Sequence, residues 1–340
     1  SRPPANWLAT AARETAGPLR QPRARGRPVR TRPLGRTGLA VSELTLGTWG
    51  LSGDGYGPVD EAEAERTIAR AVDVGITLFE TADSYGGGRM EGILGKCLPK
   101  EAMVATRIGI DLRTDPPKKC FDGAFLRERV TASLKRLRRE TIDVCMLHHP
   151  SFVGLVETDA IETLLALKSE GKIRAWGVAA AHSSIAREAL EKKVEVLELP
   201  YNMGHPRDLE SLAGDLVIAR AGVLARSILG YGVLSGVFSP ERVFEDGDHR
   251  RDRFTRMELE ARLAIVDELR FLVRGDIRTL RAAAVRFVLA NTVVTSAVLG
   301  PRNEQQLIEL VREAGAGPRY LSDDDVREVF RVLEQAGVRV

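Results

Sequence analysis

Residues 75–86 read Gly75-Ile76-Thr77-Leu78-Phe79-Glu80-Thr81-Ala82-Asp83-Ser84-Tyr85-Gly86. A glycine opens an apolar, partly β-branched run, and the spacing predicts a strand over Thr77–Thr81. The strand ends on an acid, Glu80, and Tyr85 follows in a polar, glycine-bounded turn. Upstream, Glu61–Val74 carries a helical apolar period that Asp60 can cap. Downstream, a helix near Glu91–Leu98 leads to a second apolar strand, Met103–Ile108. Strand, helix and strand in this order demand a crossover, hence parallel pairing of right-handed sense.

The same unit repeats outward in both directions. Strands are expected at Leu44–Thr48, Asp143–His148, Arg174–Ala179, Val194–Leu199, Val223–Ser227 and Ser296–Leu299. Helical periods separate them at Ala124–Arg139, Thr163–Gly171, Ser184–Lys193, Asp208–Ala221 and Leu280–Leu289. Glu304–Gly315 and Asp323–Gly337, the latter with Ser322 as a cap, close the chain. Eight alternating units predict an α/β fold, a (β/α)8 TIM barrel. An open doubly wound sheet fits less well, because Gly47-Thr48-Trp49-Gly50 lacks the third glycine of a dinucleotide fingerprint. Pro33–Ser42 alternates around a glycine turn and reads as an N-terminal β-hairpin cap. Phe238–Arg256 is a polar insertion after the seventh strand, the end at which a barrel carries its site.

Charge divides the chain. Residues 1–33 hold eight Arg against one acid, Glu14, and the remainder holds 42 basic against 46 acidic residues, net −4. The expected organisation is an Arg/Pro-rich flexible extension over 1–33 and a barrel over 34–340. A mildly acidic body argues against a nucleic-acid surface. No apolar run reaches the roughly 18 residues of a membrane span, and no charged-then-apolar leader is expected. Cys97, Cys120 and Cys145 lack metal-ligand spacing and fit a cytoplasmic protein without a metal site. No heptad seam speaks for an assembly.

Carbonyl reduction needs a proton donor held beside the carbonyl oxygen. A Tyr serves where a cation and a His stabilise its phenolate. Glu80 and Tyr85 follow the second strand, Arg107 ends the third and His148 ends the fourth, so closing the barrel brings all four together. Trp49, Tyr56 and His149 follow strands at the same end and are the expected substrate-pocket residues.

On these residues the chain resembles the aldo-keto reductase family, from Leu34 to about Ala314. The shared segments include LGRTGLAVSELTLGTWG, GITLFETADSYG, DVCMLHHP, GKIRAWGV and RFVLANTVVTSAVLGPRNEQQL. The resemblance implies an NADP(H)-dependent reductase of small carbonyl compounds, with Tyr85 as acid/base and His148 orienting the carbonyl. The family's Asp–Lys pair is represented by Glu80 and Arg107. A planar guanidinium is expected to pair with Glu80 without touching the Tyr oxygen as a compact ammonium would.

The resemblance assigns the cofactor to Leu234, Ser235, Gly236, Gly300, Arg302 and Gln306 at its phosphate end. Arg226 and Glu198 stand at its nicotinamide end. The phosphate end matches the family, except that Leu310 stands in place of an Asn. At the nicotinamide end, Ala179-Ala180 replaces a Ser–Asn pair, Glu198 a Gln and Arg226 an aromatic shelf. Two other readings follow from that loss. One is a redox-neutral acid/base enzyme catalysing elimination, isomerisation or cyclisation; the other is a non-catalytic binding or regulatory protein.

Overall fold

The computed structural model describes residues 29–314 and 320–338. Eight parallel strands close into a barrel, in chain order around the ring: Leu44–Gly47, Leu78–Ala82, Met103–Ile108, Ile142–His148, Ile173–Ala179, Val196–Pro200, Gly222–Arg226 and Ser296–Leu299. Closure is made by the last strand on the first, with Ala297 opposite Leu44. The (β/α)8 expectation therefore holds, and the open sheet is excluded by the missing edges.

Period-two alternation decides what fills the lumen. Leu78, Ala105, Val144, Met146, Ala175, Val196, Leu224 and Val298 form one interior cluster, joined by Leu34, Leu39 and Val41 of the hairpin. The hairpin pairs Thr31–Pro33 with Ala40–Ser42 and plugs the amino end of the barrel. Gly222 is required there, since a Cβ would lie 2.6 Å from Leu34 Cδ1. Two residues further along the second, fourth, sixth and seventh strands stand Glu80, His148, Glu198 and Arg226. The lumen thus changes from apolar to charged toward the carboxyl end. A second, larger apolar layer lies between strands and helices, with Trp176, Phe79 and Phe287 among its fully buried members.

Some element boundaries differ from expectation. The folded body starts before residue 34. Val29 is buried, and Arg32 pairs with Glu43 at 2.9 Å while donating to the Val294 carbonyl at 2.6 Å. Residues 29–33 therefore belong to the barrel unit, and the rest of the Arg/Pro-rich extension lies outside the described residues. The helix expected over Asp208–Ala221 is two, Arg207–Glu210 and Ala213–Ala219, because the Leu212 N–H turns to the Leu209 carbonyl and tightens the ladder. Asp60 stands at the N-cap without a side-chain hydrogen bond, whereas Ser322 accepts from the Asp325 N–H. The insertion ends in a helix the pattern did not signal, Arg256–Glu268, opened by a Thr255/Glu258 capping box. Among the described residues no helix is long and apolar enough to cross a membrane.

Candidate active site

A cavity of about 730 Å³ opens at the carboxyl end of the barrel. Glu80, Tyr85, Arg107, His148, His149 and Arg226 line its ring end, and Trp49 and Tyr56 its mouth. Ser235, Gly300, Arg302 and Gln306 line the far wall. Leu234, Gly236 and Glu198 are absent from the wall. Leu234 is buried behind it, and Gly236 (φ 77°) packs on Leu280, where a Cβ would sit 3.3 Å from the Leu280 Cβ. Glu198 lies fully buried beneath the floor.

The expectation for Arg107 needs correction. Its fork does reach the phenol: Nη1 donates to Tyr85 Oη at 2.9 Å. The other edge is held by a carboxylate that sequence reasoning had not paired with it. Nη2 and Nε donate to Glu198 Oε1 and Oε2 at 2.7 and 3.2 Å, a bidentate pair. Glu80 Oε1 also lies 2.6 Å from Nη2, yet no N–H points at it, so that contact is an ion pair without an aligned hydrogen bond. A guanidinium replacing an ammonium carries more donors, and a second buried acid satisfies them.

Burial dominates the ionisation of this floor. Tyr85 is held well above its ordinary range by burial, with Arg107 pulling the other way, so the phenol keeps its proton. Burial raises Glu80 to about 8; the Arg107 charge only partly offsets it, and the nearby Glu198 carboxylate adds to the rise. Burial also opposes the Arg107 charge, but Glu198 and Glu80 more than offset that and hold it protonated. His148 falls well below the usual imidazole range through burial and the Arg107 charge, and His149 falls to about 3 through burial and Arg226. Both are neutral donor–acceptors. The His148 ring meets the Tyr85 ring edge-on, with centroids 6.1 Å apart.

Ala179 and Ala180 are fully buried, and their carbonyls are taken, Ala179 O by the His149 N–H at 2.9 Å and Ala180 O by Arg226 Nη2 at 3.1 Å. The ring end therefore offers no neutral side-chain amide or hydroxyl from these positions. The far wall is better suited to phosphate. Arg302 Nε is buried without a partner, open space lies where a Gly300 Cβ would be, and the helix Glu304–Glu313 begins beside them. That donor set fits the anionic half of a dinucleotide.

The insertion also contributes residues that sequence reasoning missed individually. Asp248 bridges to Tyr56, the His249 N–H donates to the Gly55 carbonyl at 2.9 Å, and Trp49, Tyr56 and His249 pack ring to ring. Arg253 lies 4.0 Å over the Tyr231 ring. The density of Arg in 250–256 was the available signal.

A parallel barrel that converges a protonated phenol, a buried cation and a neutral imidazole on one cavity is a scaffold for acid/base chemistry on a small molecule. The chain belongs to the aldo-keto reductase family: the model described as "Aldo/keto reductase family" matches residues 43–334. It is 29% identical over 311 residues to the aldo-keto reductase YhdN of Bacillus subtilis, covering 88% of this chain and 92% of that protein. It is also 29% identical over 333 residues to the NADH-specific methylglyoxal reductase of Escherichia coli, covering 89% and 99%. The structure of a glycerol dehydrogenase from Gluconobacter oxydans superposes with a TM-score of 0.77 at 29% identity, covering 91% of this chain and 97% of that one. Two of these three are named for the oxidation or reduction of a small molecule, and the family generally binds a nicotinamide cofactor.

Proposed function

We propose that this protein is an NADPH-dependent reductase of aldehydes or ketones in which Tyr85 delivers the proton. The observation that carries this reading is the 2.9 Å hydrogen bond from Arg107 Nη1 to Tyr85 Oη at the floor of the cavity. A carbonyl oxygen placed within reach of Tyr85 Oη and the His148 ring gains two donors. A nicotinamide cofactor, when bound, would supply hydride to the carbonyl carbon. Tyr85 would give its proton to the carbonyl oxygen as that oxygen gains charge, and Arg107 faces the phenolate left behind. Glu198 and Glu80 orient the guanidinium, while His148, kept neutral, positions the carbonyl without competing for its proton.

Arg302, Gly300, Ser235 and Gln306 hold the phosphate end in this reading, with Arg302 as the selector for a 2′-phosphate. One relative is named as NADH-specific, so the dinucleotide preference is a direct test. Titration with NADPH, followed by cofactor fluorescence and with NADH as control, is expected to saturate with NADPH preferred. Tyr85→Phe is expected to bind cofactor and lose turnover. An absence of binding to either dinucleotide would overturn the reading.

A second reading has its own support. Ala179 and Ala180 bring no polar side chain, and both Glu198 oxygens are taken by Arg107. That arrangement favours acid/base chemistry at Tyr85 and His148 without hydride, checked by product formation in cofactor-free enzyme. The three free cysteines extend the proposal to a reducing, cytoplasmic compartment.

A further inference from the structure

Tyr85 and His148 meet the carbonyl in the reductase reading, yet no hydrogen bond among the described residues orients the His148 ring. Its Nδ1 is buried without a partner. An imidazole that binds through one nitrogen is ordinarily set by the bond its other nitrogen makes. Packing does that work for His148. Its ring lies edge-on to Tyr85, with centroids 6.1 Å apart, and edge-on to His149, with centroids 4.9 Å apart. The place of the His149 ring therefore bears on the carbonyl seat.

His149 stands in an unfavourable backbone. Its φ is 49°, in the left-handed region, which a residue with a Cβ adopts at a cost. It also precedes Pro150, whose ring pushes the residue before it toward extended conformations. Two hydrogen bonds hold it there. The backbone N–H of His149 donates to the Ala179 carbonyl at 2.9 Å, and the His149 carbonyl accepts from Lys119 Nζ at 2.6 Å. Only the second depends on a side chain.

Lys119 comes from the loop after the third strand. Ile110–Asp111 and Lys118–Lys119 form a short antiparallel hairpin, with Ile110 opposite Lys119. The Cys120 N–H closes it on the Gly109 carbonyl at 3.0 Å. Gly109 (φ 116°) admits no side chain, since a Cβ would lie 2.3 Å from Phe121 Cε1, and Phe121 also fills the space a Gly154 side chain would need. The hairpin is thus anchored between the strand that bears Arg107 and the loop that follows His149. Lys119 itself is exposed and does not line the cavity.

We propose that Lys119 is a positioning residue: by holding the His149 carbonyl it keeps that backbone left-handed, so that the His149 ring fixes the His148 ring against Tyr85. The consequence for turnover rests on the reductase reading; the consequence for the two imidazoles does not.

The test uses the full chain, with para-nitrobenzaldehyde and NADPH for turnover. Lys119→Met is expected to lower kcat about tenfold while the KM for cofactor holds, because a misaimed donor is felt in the chemical step. Lys119→Arg, which still donates to a carbonyl, should restore most of the loss. His149→Gly supplies the decisive comparison, since glycine takes a left-handed backbone without a pin. In that background Lys119→Met should cost less than about twofold more, the non-additivity of residues that act through one another. Proton–nitrogen spectra of the five His in cofactor-free protein read the same step without turnover. The His148 and His149 signals should move in Lys119→Met and return in Lys119→Arg, while that of His205, beside Asp208, stays. Such movement without reduction of any aldehyde would keep the pin and sink the reductase reading. Unmoved His148 and His149 signals, an unchanged kcat in Lys119→Met, a loss that Lys119→Arg leaves unrestored, or additive losses with His149→Gly would overturn the pin.

Discussion

The two ends of the barrel lumen are built from the same eight strands and the same alternation, yet they contrast. At the amino end, Leu34, Leu39 and Val41 fill the interior against Leu78, Met146 and Leu224, an apolar plug with no polar partner to satisfy. Two residues further along, Glu80, Glu198, Arg107 and Arg226 crowd the lumen with opposite charges within 4 Å of one another in pairs. The plug tolerates any shape-matched apolar residue, since dispersion and burial are non-directional. The charged layer tolerates little, because each ion requires a particular partner in a particular direction. Arg107, Glu80 and Glu198 are therefore best understood as one unit: a forked cation in place of an ammonium is stable there only with a second acid beneath it.

The sharpest way to break that contrast is Tyr85→Phe, expected to cost roughly 10²–10⁴-fold in reduction rate, the usual contribution of a positioned proton donor. The change also takes the acceptor from Arg107 Nη1 and should lower stability by about 1–3 kcal/mol, which thermal unfolding beside steady-state kinetics would check. Next, Glu198→Ala leaves Arg107 and Arg226 short of a buried counter-ion and is expected to destabilise by about 3–5 kcal/mol. Urea unfolding measures it, and a loss below about 1 kcal/mol would mean the layer is not a coupled unit.

At the other end, Leu34→Ala removes a fully buried plug residue and should cost about 2–5 kcal/mol while leaving cofactor affinity unchanged. If cofactor binding fell with it, the two ends would not be independent. A smaller effect concerns pH. Glu80 is raised in the folded state above its ordinary value near 4.5, to about 8, so folding favours the protonated form. Its contribution is complete below its unfolded value and is lost as pH rises toward 8. Stability measured between these limits should decline with pH in wild type and decline less in Glu80→Gln. Smallest of all for the fold, Arg302→Met should change stability by about 1 kcal/mol or less, since its Nε has no partner to lose and its bonds to the Gly57 and Pro58 carbonyls are long. It should still weaken NADPH more than NADH in a fluorescence titration.

Much of this architecture was legible in the order of residues. Each barrel strand announces itself as a short apolar run between helical periods, and eight such runs leave few topologies open. Glu80, Tyr85, Arg107 and His148 were legible for a related reason. Each stands at or just after a strand's carboxyl end, and barrel closure brings those ends together whatever the loops do. The plug was legible as a hairpin, though its start at Thr31 was not, because Arg32 reads as one more tail arginine until Glu43 and the Val294 carbonyl meet it.

What only the tertiary structure decided is who partners whom in the charged layer. Arg107 and Glu198 are separated by 91 positions and share no local pattern, so composition and periodicity say nothing of their bidentate pair. Likewise, nothing local links Arg226 to the Ala180 carbonyl, or His249 to Gly55 across the cavity mouth. Strand identity follows from neighbours a few residues apart, where the backbone's own period acts. Charge pairing in the lumen follows from the radius and register of a closed ring, which exist only once all eight strands are in place.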